Sequence, residues 1–149
     1  MSRSLRLVLA LAFVAVLAGG NVASTVAGGP KVLDARMAGI PTAGLTLDRV
    51  VGGGAPWVLD EGHARLFADG RLDVEIEGLV LVSSHTNPVA SGHVIVTCNG
   101  GPAATTANVP FSPEGNAEIE TTVALPSPCL APAVFFTTGT DRWLAVTGF

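Results

Sequence analysis

Five side chains here belong to the types that carry most protein chemistry: Cys98, Cys129, His63, His85 and His93. Two cysteines can pair, attack a substrate as thiolates or hold a metal. A nucleophile needs an acidified thiolate beside a base, and the stretch SPCLAP around Cys129 supplies neither. A structural zinc site takes about four ligands, and no C-x-x-C or H-x-x-x-H spacing occurs. A Cys98–Cys129 disulfide is the expected use, with free buried thiols as the alternative. His85 and His93 flank the polar stretch TNPVASG and are candidates to share a transition metal. With His63 they define one functional reading, a small secreted metalloprotein or hydrolase. Against it, the sequence points to no further ligand and contains no G-x-S-x-G elbow. No catalytic residue, metal or cofactor is therefore assigned.

Other candidates have plainer readings. Asp73, Glu75 and Glu77 suggest calcium, but they alternate with Leu72, Val74 and Ile76, which is the pattern of a strand with one wet face. Gly52-Gly53-Gly54 precedes Ala55-Pro56 rather than Lys-Ser/Thr, so it is no phosphate loop. Trp143 lies in an apolar run and is expected in the core. Trp57 follows a flexible Gly-Gly-Gly-Ala-Pro segment, and His85 and Asn87 sit in a polar loop. Loops commonly carry recognition and exposed tryptophans anchor partners, so Trp57, His85 and Asn87 form the candidate binding surface.

The elements that must position these groups are strands. The clearest is GHARLFADGRLDVEIEGLVLV, from Gly62 to Val82. A three-residue loop, Ala68-Asp69-Gly70, with Gly70 at positive φ, sets Leu66 opposite Leu72 and Ala64 opposite Val74 on one apolar face. The same register sets Arg65 against Asp73 and His63 against Glu75 on the other face. GHVIVTC directs Val94, Val96 and Cys98 to one side, and NAEIETTVAL does the same with Ile119, Val123 and Leu125. APAVFFTT and RWLAVTGF read as the last two strands, VLDARMAGI and TLDRVV as the first two. The expected fold is all-β, an antiparallel sandwich of immunoglobulin-like or Greek-key type with about seven to nine strands.

The first residues set the expected compartment. Arg3 and Arg6 precede twelve unbroken apolar residues, Leu7 to Ala18, and small residues follow as far as Thr25-Val26-Ala27. This is the pattern of a signal-peptide helix over residues 1–27, ahead of a single secreted domain over 28–149. A retained anchor is the alternative, although the apolar core is shorter than the roughly 20 residues of a span. Removing residues 1–27 leaves six basic residues against twelve acidic ones, a formal charge of −6. That balance, with no basic stripe, argues against nucleic acid and anionic membranes as partners. An extracellular protein or glycan is the expected partner of a non-enzymatic binding or structural module.

Taken together, GGGAPWVLDEGHARLFADGRLDVEIEGLVL, TNPV, SPEGNAEIETTVALPSPCLAPAVFF and WLAVTG resemble a set of small secreted bacterial β-domain proteins. The resemblance covers most of the chain after residue 27. It implies a secreted β domain and no particular activity.

Overall fold

The computed structural model describes residues 28–148, so the signal-peptide reading of residues 1–27 lies outside the described residues. Thirteen strands follow one another: β1 (Lys31–Gly39), β2 (Thr46–Leu47), β3 (Val50–Val51), β4 (Trp57–Val58), β5 (Glu61–Phe67), β6 (Arg71–Glu77), β7 (Val80–Leu81), β8 (Ser91–Cys98), β9 (Gly101–Thr105), β10 (Val109–Pro110), β11 (Ala117–Thr122), β12 (Ala133–Thr138) and β13 (Trp143–Thr147). The described residues contain no helix, and none long and apolar enough to cross a membrane. The main ladder runs β10-β8-β12-β13-β1-β5-β6-β11, and β9 joins it on β8. All its pairs are antiparallel. These nine strands match the expected number, and the four strands beyond it are two-residue pieces forming two small ribbons, β2–β3 and β4–β7.

The ladder folds into two layers because β1 serves both. Leu33 to Arg36 pair with β5, whereas Met37 to Gly39 pair with β13. One layer is β1-β5-β6-β11, and the other is β1-β13-β12-β8 with β9 and β10. Leu66, Leu72, Val74 and Ile119 face inward from the first layer and Val94, Val96, Val134 and Phe136 are buried in the second. Phe111 bridges Trp57, at 6.4 Å between ring centres, and Phe136, at 5.0 Å.

The β5–β6 hairpin has the register expected of it. Leu66 pairs with Leu72, Arg65 with Asp73, Ala64 with Val74 and His63 with Glu75, and Gly70 has φ +87°. Arg71 covers the Phe67 ring at 3.8 Å. The disulfide is present, joining Cys98 to Cys129 with Cα atoms 4.9 Å apart. Asn99 reinforces it. Its backbone N–H donates to Leu130 O, and its side chain donates to Pro128 O and accepts from Leu130 N–H. The bond is consistent with an oxidising compartment.

One strand expectation needs correcting. TLDRVV is not one strand but the β2–β3 hairpin, in which Thr46 pairs with Val51 and Leu47 with Val50. Asp48 (φ +45°) and Arg49 (φ +63°) form its two-residue turn. Positive φ at both positions is what a hairpin turn of this length demands, although Asn-Gly is the usual pair. Tertiary bonds compensate. Thr97 Oγ1 donates to Asp48 Oδ2 at 2.8 Å, Trp143 Nε1 to Leu45 O at 2.9 Å and Gly53 N to Trp143 O at 2.9 Å. The hairpin is therefore fastened to β8 and β13. In both strands residues of either parity are buried, so the simple in-out alternation read for GHVIVTC is lost.

Candidate functional site

The three histidines do not form one site. His63, on β5, contacts Asp34 through Nε2 in the outer face of the first layer. His85 is exposed in the turn after β7, at φ +52°. His93, on β8, is buried: Nδ1 meets Asn108 Oδ1 at 3.0 Å, and Nε2 lies 2.9 Å from Asp141 Oδ1. That second contact is too poorly aligned for a hydrogen bond, so it acts as an ion pair only when His93 is protonated. Among the described residues, no three His, Cys, Asp or Glu side chains come together as a metal site.

The acidic face of the first layer is an ordered charge lattice. Two cross-strand rows run Arg36-His63-Glu75-Glu118 and Asp34-Arg65-Asp73-Glu120. Lys31 and then His63, as hydrogen-bond donors, lower the Asp34 pKa below its ordinary value. Asp69, in the β5–β6 loop, is lowered by the backbone N–H of Gly29 and then of Arg71. Both carboxylates are solvated, and these contacts organise the surface rather than a reaction centre.

Two members of the predicted binding surface are misplaced. Trp57 is only 6% exposed, because its strand pairing with Leu81 and its backbone N–H bond to Ile40 O turn the indole inward against Phe111. Asn87 is 8% exposed. Its Nδ2 donates to Val89 O at 2.8 Å and Ser112 O at 2.7 Å, and its Oδ1 accepts from Val89 N at 2.8 Å. Asn87 is a structural staple for its loop. Asn87→Ala should lower the unfolding free energy by about 2 kcal/mol, since buried backbone groups left unmet cost about 1–3 kcal/mol. His85→Ala, at an exposed position, should stay within about 0.5 kcal/mol. Urea unfolding of both variants checks this, and equal effects would refute the assignment.

Grooves of similar volume occur on several faces, and two of them flank the β12–β13 turn. On one side, a groove of about 410 Å³ is bounded by Arg49 and Val51 of the β2–β3 hairpin, Pro102 and Thr105 of β9, and Asp141 and Arg142 of the turn. Buried Ile95 and Val50 also line it. On the other side, a groove of about 380 Å³ is lined by Gly53, Gly54, Leu81, Val89 and Leu144, with Trp57 among them. Thr140 and Arg142 border both grooves. Each volume lies in the usual range for small-ligand sites, ~300–1,000 Å³. Trp57, read from the sequence as a candidate binding residue, is a mostly covered ring at the lining of this second groove.

Neither Arg49 nor Arg142 makes an ion pair or side-chain hydrogen bond among the described residues. The Arg49 guanidinium lies close over Gly101, where an added Cβ would come within 3.3 Å of it. Asp141 is 72% exposed at the rim. None of these residues stands out in the sequence. The one signal is that arginines are few, and two of them occupy turn positions, Asp48-Arg49 and Asp141-Arg142. Comparison of the chain with protein-family models, curated proteins and solved structures finds no match.

Proposed function

We propose that this chain is an exported, non-catalytic β-sandwich module that binds an extracellular ligand in the grooves beside the β12–β13 turn. One observation carries the reading. The β2–β3 hairpin, fastened through Asp48 to Thr97, and the β12–β13 turn bring two exposed arginines without ion-pair partners among the described residues, Arg49 and Arg142, to the lining of one groove. Export rests on the signal-like N-terminus and on the resemblance to small secreted bacterial proteins, and it agrees with the disulfide. The rival metalloprotein or hydrolase needs His63, His85 and His93 to converge. His63 is instead engaged with Asp34 in one layer, and His93 with Asn108 and Asp141 in the other.

Amide chemical-shift mapping of the disulfide-bonded chain tests the site. The probes are soluble fragments of xylan, chitin and pectin. Shifts confined to residues 49–54, 101–105 and 138–142 are the expected result. Shifts on the β5–β6–β11 face, or none with any probe, would sink the reading.

A further inference from the structure

Resting on that reading, we infer that the groove between the β2–β3 hairpin and the β12–β13 turn takes a carboxylated sugar, a uronic-acid unit of an acidic glycan. The domain after residue 27 carries twelve acidic and six basic residues, so a free arginine is uncommon. Lys31 and Arg65 are matched to Asp34 and Asp73, and Arg71 covers Phe67. Two of the remaining arginines, Arg49 and Arg142, border this groove from separate turns, with no carboxylate partner among the described residues. The guanidinium fork matches a planar carboxylate in two parallel hydrogen bonds.

The rest of the lining fits the rest of such a ligand. Pro102 offers exposed apolar surface to the C–H face of a sugar ring, above a floor formed by the buried Val50 and Ile95. Thr105, Thr140 and Asp141 offer hydroxyl and carboxylate groups to ring hydroxyls. Asp141 also selects among anions. Its rim carboxylate repels a phosphate dianion more strongly than a carboxylate monoanion, while accepting hydrogen bonds from neutral hydroxyls. A hydroxylated monocarboxylate offers its charge to the arginines and its hydroxyls to Thr105, Thr140 and Asp141.

The test is calorimetry on the disulfide-bonded chain with trigalacturonate, its methyl ester, neutral galactotriose and galactose 6-phosphate. Trigalacturonate should bind at least tenfold more tightly than the ester or the neutral trimer. Its affinity should fall as NaCl is raised from 50 to 500 mM, concentrations about a decade apart that shorten the screening length roughly threefold. Arg49→Gln and Arg142→Gln should each weaken binding about five- to tenfold, and the double variant should abolish it. Both side chains are exposed, so circular dichroism should be unchanged. Glu118→Gln, on the opposite face, should leave the affinity as it is.

Equal binding of acid and ester would overturn the inference while leaving the groove as a sugar site. Tighter binding of the phosphate would overturn the choice of carboxylate. Absence of binding by every sugar, together with no amide shifts, would remove both the inference and the reading beneath it.

Discussion

Trp143→Ala should cost about 3–5 kcal/mol of unfolding free energy, the range for emptying a core aromatic site. Trp143 is 0% exposed, meets Phe135 edge-to-face at 5.8 Å and is among the largest fully buried side chains. Its loss also leaves Leu45 O without the indole donor. Domains of this size are stable by about 5–15 kcal/mol in all, so the variant should lose a large share of its stability. Trp143→Phe separates the parts. It keeps most of the ring volume but loses the N–H, and should cost less while still loosening the β2–β3 hairpin. Urea unfolding measures the first effect, and amide exchange of Gly52 and Gly53 measures the second. Trp143→Ala within about 1 kcal/mol of wild type would show that the packing around it is replaceable.

Removing the disulfide is the other large effect. Cys98 and Cys129 are 31 residues apart, and closing a loop of that length stabilises a fold by about 3–4 kcal/mol through the unfolded chain. The Cys98→Ala/Cys129→Ala variant should lose about that much in urea. The Asn99 bonds to Pro128 and Leu130 should keep the segment docked in the native state, so the folded spectrum should change little. A variant as stable as the oxidised chain would mean that the reduced chain is already confined there.

Legibility followed the range of the forces. The β5–β6 register was readable because a local turn, Asp69-Gly70, and a period-two pattern act on the same twenty residues. Asn99-Gly100 carries an equally local signal, with φ +58° and +76°, and marks the β8–β9 hairpin, a strand pair absent from the expected elements. Trp57 and Asn87 were misplaced for the opposite reason. Glycines and polar neighbours suggest exposure, but burial was decided by Phe111 and Ser112, more than twenty residues away. The paired histidines of the loop were separated by the same logic, since His93 belongs to a strand interior and His85 to its approach. The arginine groove was the least legible, because three segments far apart in sequence assemble it.

β1 has a consequence for how the chain comes together in time. Half of the strand finds its partners in β5, only about thirty residues on, but the other half must wait for β13. During synthesis, then, Met37 to Gly39 emerge early and lack their β13 ladder partners until Ala145 to Thr147 have been made. Contacts between distant parts of a chain form slowly, because the intervening loop has to be closed first. The second layer is thus the late step of assembly.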